Sequence, residues 1–281
     1  MVLALLVVVA LILFVISISN NKNFDFRTVK DYLFAGVIIN GVGRTLFLTV
    51  LVMTLASLLS IPLALGRLSQ SRILRSFAFG YVWIFRGTPV LVQLIFWFNL
   101  ALVVPQLTLG IPGTDVSYIV ITNNVVTPFV AALVGLALNE TAYMAEIVRG
   151  GLLSVDKGQA EAAFALGLTE GRTLRRIVLP QAMRAIIPPA GNELITALKT
   201  TALVSIISFN ELLGTVQGIY SVNYKTMELL IVASAWYLAC TSMFSVGQYY
   251  VERRFARGTG PKPRLALGRR VLVFWRARHA Q

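Results

Sequence analysis

Six apolar runs, at residues 2–18, 45–65, 73–104, 125–148, 189–213 and 228–250, constrain this chain more than any other feature. At about 1.5 Å per helical residue, some 20 residues cross a hydrocarbon core of roughly 30 Å. Hydrophobic residues fill 57% of the 281 positions and charged residues only 13%, where soluble domains carry about a quarter. No long polar stretch remains from which a soluble domain could form. The expected fold is all-α, a polytopic membrane helix bundle.

The formal charge of +13 fits either nucleic acid or an anionic membrane surface. Position decides between them. Nineteen of the 25 Lys and Arg fall within 67–86, 149–184 and 253–278, each cluster abutting an apolar run, as cytoplasmic loops do under the positive-inside rule. No aromatic-interleaved nucleic-acid motif accompanies them, so the bilayer is the expected partner and nucleic acid is not. Six crossings place both termini and the 149–188 loop in the cytoplasm. Lys22, Arg27, Lys30 and Arg44 then lie outside, against the trend but outnumbered. A single cysteine, Cys240, leaves no disulfide framework, and a single histidine, His279, leaves no multi-histidine metal site.

The chain divides into a transmembrane anchor at 1–20, an interfacial amphipathic segment at 21–43, a main transmembrane domain at 44–252 and a basic cytoplasmic tail at 253–281. The anchor is read as uncleaved, because Ser17-Ile18-Ser19-Asn20 is a poor cleavage site and no basic start precedes it. The third run is too long for one straight crossing and is broken at Arg86-Gly87-Thr88-Pro89. Proline removes a helix donor there and turns Thr88 away from helical geometry. A short membrane-surface helix followed by a span at 90–104 is predicted. Residues 105–124 carry Pro, Gly, Thr and Asn but no Lys or Arg, and form an external loop. The pair Pro188-Pro189 suits the start of the fifth span.

Within the 149–188 loop, Glu161-Ala162-Ala163 is followed at fixed spacing by Gly167 and then by Ile177-Val178-Leu179-Pro180. Residues 159–166 are good helix formers with a smooth alanine face, and Gly167 suits a left-handed terminator. Thr169 can cap a second short helix bearing Arg172, Arg175 and Arg176, which Pro180 ends. A compact helix–turn–helix results, its first helix suited to another protein's groove.

These residues resemble the ATPase-coupling loop of permease subunits from bacterial binding-protein-dependent ABC importers. Arg86-Gly87-Thr88-Pro89-Val90-Leu91-Val92-Gln93, Ala142-Tyr143-Met144-Ala145-Glu146 and Leu198-Lys199-Thr200-Thr201 are similar to the polar-amino-acid subfamily, the histidine, glutamine and arginine type. Thr200 departs from the pattern, standing where many relatives carry Asp. The resemblance covers about 40–252 and implies a five-span core, to which the first apolar run adds one. It implies docking on ABC ATPase subunits through Gln159, Glu161, Ala162, Ala163, Gly167, Leu179 and Pro180. It also implies a second permease subunit, identical or paralogous, and an extracytoplasmic binding protein that delivers a polar amino acid. The setting is the bacterial inner membrane, and transport proceeds by alternating access. No Gly-x-x-x-x-Gly-Lys-Ser/Thr loop occurs in the chain, so ATP and Mg²⁺ are expected in the partner, with no cofactor, metal or catalytic residue here.

For the substrate path the candidates are Asn139, Glu140, Tyr143, Glu193 and Lys199. Polar groups in a span face the bundle interior and find partners. For Lys199 a place on the path or at the subunit interface is weighed against an ion pair with Glu193 or Glu140, and for Asn139, Glu140 and Tyr143 substrate contact against helix–helix hydrogen bonding. Arg86 either positions the broken helix or snorkels to lipid phosphate. Two further functions stand against an amino-acid importer: an ion-driven secondary transporter or channel needing no partner, and an ABC permease for methionine or an oxyanion.

Overall fold

The structure, a computed structural model, describes residues 24–110 and 117–255. The expected anchor at 1–20 and nearly all of the basic tail lie outside these residues.

Helix α1 (Phe26–Leu33) is capped by Asp25, whose carboxylate accepts from the Arg27 amide at 3.0 Å and the Thr28 hydroxyl at 2.9 Å. The long helix α2 (Gly36–Leu68) begins at Gly36, so the interfacial segment is shorter than the expected 21–43. Helix α3 (Arg72–Gly87) and helix α4 (Val90–Phe98) meet at 100° across Thr88 and Pro89. The break is where Pro89 requires it, but the second segment is shorter than the predicted 90–104 span. Nine residues reach only about 14 Å, so α4 crosses no bilayer alone. The loop after it contains an antiparallel hairpin, β1 (Gln106–Gly110) with β2 (Ser117–Ile121), and Gln106 pairs with Ile121. The loop composition concealed this two-stranded ribbon, the only sheet among the described residues.

Helix α5 (Pro128–Leu153) starts with Pro128 in its first turn behind a Thr127 cap. The short helix α6 (Lys157–Ala165) follows. A single turn, Glu170–Thr173, then runs through a π-helical stretch, Leu174–Val178, into α7 (Leu179–Thr200). Two expectations fail here. Pro180 stands in the first turn of α7 and opens that helix instead of ending one, since a first-turn N–H needs no intrahelical acceptor. Pro188 and Pro189 lie inside α7 and start nothing. They withdraw donors from the Arg184 and Ala185 carbonyls, and α9 packs beside them, Gln248 Nε2 donating to the Pro188 carbonyl at 3.1 Å. A 3-10 stretch, Thr201–Ile207, leads to α8 (Leu212–Asn223), and α9 (Thr226–Phe255) closes the described chain.

By length and composition α2, α5 and α9 can each cross a bilayer, and counting each bent pair as one crossing gives up to five among the described residues. Helix α5 is the axis. It packs against α2, α3, α4 and α7 through Ala131, Ala132, Gly135, Ala142 and Ala145, small residues that let helices approach where no hydrophobic force separates them from lipid. Outward, Phe47, Leu58, Phe77, Trp83, Leu238 and Val246 are exposed, a surface that only lipid or another apolar partner covers. Arg44, one of the cations against the charge trend, donates to the Asn210 carbonyl at 3.0 Å and joins α2 to the turn before α8.

Candidate functional site

The break between α3 and α4 is held open by amide side chains. Gln93 Nε2 reaches the Phe85 carbonyl at 3.0 Å, the Thr88 carbonyl at 3.2 Å and Thr88 Oγ1 at 2.8 Å. Asn139 Nδ2 of α5 donates to the same Phe85 carbonyl at 2.8 Å and to Gln93 Oε1 at 3.3 Å. Carbonyls freed by the proline thereby find donors on the neighbouring helix, as irregular backbone within a membrane requires.

Beside the break lies a cavity of about 500 Å³. Arg86, Gly87, Thr88 and Pro89 line one wall, Asn139, Glu140 and Tyr143 of α5 a second, and Glu193, Thr196 and Thr200 of α7 a third. The helix break and the polar cluster, separate features in the sequence, form one chamber. Glu140 is 3% exposed, and its Oε2 has no hydrogen-bond partner among the described residues. A buried acceptor with a vacant lone pair at a cavity wall is equipped to receive a donor from a ligand. The Arg86 guanidinium lies 5.0 Å from the Tyr143 ring centroid, within cation–π range, so it stays in the chamber beside α5.

Lys199 does not join the chamber. It is exposed, is not among the residues lining the cavity and forms no ion pair with Glu140 or Glu193 among the described residues. The helical turn carries it away from the face shared by Glu193, Thr196 and Thr200. Those two threonines were missed, although their spacing of three and four residues after Glu193 already put them on one face.

The projecting helix α6 is exposed along most of its circumference, with Gln159, Glu161 and Ala162 outward and Ala163 turned in at 1% exposure. Ala163 therefore shapes this surface from beneath. Asp156 caps the helix, accepting from the Gly158 amide at 2.7 Å. Gly167 ends it at φ +79°, a conformation that side chains other than Gly rarely adopt. Leu179 and Pro180 are exposed nearby, and Gln181 Nε2 reaches Gln159 Oε1 at 3.5 Å. Phe164 and Leu166 are 48% and 82% exposed; the alanine-rich motif had drawn attention away from these apolar knobs. Arg172, Arg175 and Arg176 line an open basic depression beside them.

A lipid-facing bundle with broken helices round a polar chamber, and a short helix displayed at one end, defines the membrane subunit of a transport system. The family model described as "binding-protein-dependent transport system inner membrane component" matches residues 56–257, and the chain belongs to that family. It is 44% identical over 257 residues to the arginine transport system permease protein ArgU of Corynebacterium glutamicum, covering 91% of this chain and 80% of that protein. The nopaline transport system permease protein NocM of Agrobacterium fabrum is 37% identical, covering 79% of this chain and 91% of that protein. The glutamine transport system permease protein GlnP of Escherichia coli K12 is 32% identical, covering 78% and 92%. A crystal structure of an amino acid ABC transporter with histidines superposes with TM-score 0.70 at 35% identity, over 83% of this chain and all of that one. Inward-facing structures of the MetNI methionine ABC transporter give TM-score 0.62 at 20% identity, over 79% and 97%, a likeness of fold alone. The chain is a multi-pass membrane permease subunit of an ABC importer.

Proposed function

We propose that this permease carries a polar amino acid with a cationic side chain through the chamber between the α3–α4 break, α5 and α7. The observation that carries this is the chamber's charge: two carboxylates, Glu140 and Glu193, face one guanidinium, Arg86. An α-carboxylate pairs with Arg86, while the two ammonium-type charges of a basic amino acid answer the two carboxylates. With Lys199 outside the wall, no further cation opposes this pairing. The similarity to an arginine permease supports the same class.

Transport requires partners in this proposal. Two ATPase subunits dock beneath a pair of permease subunits, each chain offering its α6, where Glu161, Phe164 and Leu166 form the exposed contact over Ala163 and Gly167 sets its end. An extracytoplasmic binding protein delivers substrate to a pair of permease subunits. ATP and Mg²⁺ stay with the ATPase, and this chain contributes no catalysis. The core comprises five spans with one further span before it, and both termini face the cytoplasm. Closure of the ATPases displaces α6 and, through the continuous turn into α7, shifts one wall of the chamber toward the outward-open state.

Reconstitution into liposomes tests the proposal. ATP-dependent uptake of labelled arginine is expected only when ATPase and binding protein are present with the permease. Flux from this chain alone down an ion or substrate gradient would assign it to the partner-independent transporters.

A further inference from the structure

We propose that the groove between the ends of α2 and α3 is a binding site for an anionic phospholipid. A cavity of about 310 Å³ there is lined by Arg67, Arg75, Ser76 and Phe79. The protein does not neutralise it. Arg67 contacts Glu146 at 3.4 Å, but that carboxylate is already held by Arg149 at 2.8 Å, so two guanidinium groups share one negative charge. Arg75 has no carboxylate partner among the described residues. Ser76 adds a hydroxyl donor, and Arg67 is braced at 4.9 Å from the Phe79 ring centroid. One braced guanidinium, a second without a carboxylate partner, and a hydroxyl suit the oxygens of a phosphate monoanion.

The surroundings say that this phosphate belongs to a lipid. On α3, Arg75, Phe79 and Trp83 follow one another at four-residue spacing and form one stripe, and the two aromatics are 54% and 69% exposed. On α2, Arg67, Leu63 and Leu59 repeat that spacing. The two helices pack together at Gly66 and Ala78, and Leu63 packs against Val82. A basic mouth thus opens onto the exposed aromatic stripe of Phe79 and Trp83. Head group at the arginines and acyl chains along the aromatics satisfy both halves, as basic pockets between membrane helices do. The Arg67–Glu146–Arg149 bridge also fixes the end of α2 to the end of α5 from which α6 departs. The lipid therefore sits at the foot of the projecting helix, on the cytoplasmic leaflet if α6 docks as proposed above.

The experiment uses the full chain with Trp97, Trp236 and Trp275 replaced by Phe, so that Trp83 alone reports. In vesicles, brominated phosphatidylglycerol is expected to quench Trp83 at a mole fraction on the order of fivefold lower than brominated phosphatidylcholine. Arg75→Gln abolishes this preference and Arg75→Lys retains most of it. Equal quenching by the two lipids, or a preference unchanged in Arg75→Gln, overturns the proposal. So does an Arg75→Gln variant that keeps its lipid preference but loses the ATPase, which would make the groove a protein contact. The quenching involves no transport, so it can fail while the transport proposal stands.

Discussion

Glu211 is fully buried, yet both of its oxygens accept hydrogen bonds. Oε2 accepts from Thr45 Oγ1 at 2.9 Å and from the Tyr237 hydroxyl at 2.6 Å, and Oε1 caps α8 by accepting from the Gly214 amide at 2.9 Å. One carboxylate thus fastens α2, α8 and α9 together, and the sequence reading gave it no role. Glu211→Ala would strand the Tyr237 hydroxyl and a helix-start amide, leaving Thr45 only the Gly41 carbonyl at 3.1 Å, at a cost on the order of 3 kcal/mol. Tyr237→Phe removes one donor and should cost about 1 kcal/mol. Thermal unfolding in detergent should order the variants accordingly, and equal losses would mean that the tyrosine is the dominant member. At Gly167 the constraint is backbone geometry: at φ +79° a valine costs at least about 1–2 kcal/mol. Gly167→Val should insert normally yet lose ATP-driven uptake, measured alongside its retention of the ATPase.

Between helices the decisive contacts lie where backbone hydrogen bonds are missing or side chains have no room. Gln93→Leu should leave the Phe85 carbonyl and the Asn139 amide with fewer partners, destabilising the α3–α4 corner by about 1–3 kcal/mol. Spin labels at the exposed positions Phe77 and Phe96 should then report a broadened distance distribution. An unchanged distribution would show that Pro89 alone maintains the 100° bend. Gly151 marks the tightest approach of α5 to α7, because a Cβ there would meet Ile186 Cγ1 at 2.2 Å. Gly151→Ala should cost about 1–3 kcal/mol by overpacking. Pairing it with Ile186→Ala should recover part of that loss, since the two share one volume, and a double-mutant cycle of unfolding midpoints measures the coupling.

The chamber belongs to the assembled chain, since three separate stretches supply its walls. Its charge leads to a prediction about selectivity. Glu140→Gln should weaken uptake of arginine more than uptake of glutamine, by about tenfold if one buried charge-assisted contact is lost. Competition between labelled arginine and unlabelled glutamine checks it. A uniform loss for both would identify Glu140 as a helix-packing group instead. Glu193→Gln, half-buried on the facing wall, should act in the same direction.

Much of this architecture was legible along the chain because bilayers impose strong local rules. Apolar runs of bilayer length became the lipid-facing helices, Pro89 broke α3 from α4, and Gly167 took the left-handed turn that the end of α6 requires. Each follows from local chemistry. What stayed hidden depended on which face a helix turns and what lies opposite. Pro188 and Pro189 read as a helix start, yet α7 runs through both, with a distant glutamine, Gln248, packed against the first. Helical rotation turned Lys199 away from the chamber, and the same rotation brought Thr196 and Thr200 into its wall. Sequence periodicity set the class of the molecule, since hydrophobic transfer acts residue by residue. Only the packing of α3, α4, α5 and α7 decided that Arg86, Glu140 and Glu193 share one chamber, because contacts between distant segments exist only after the helices dock.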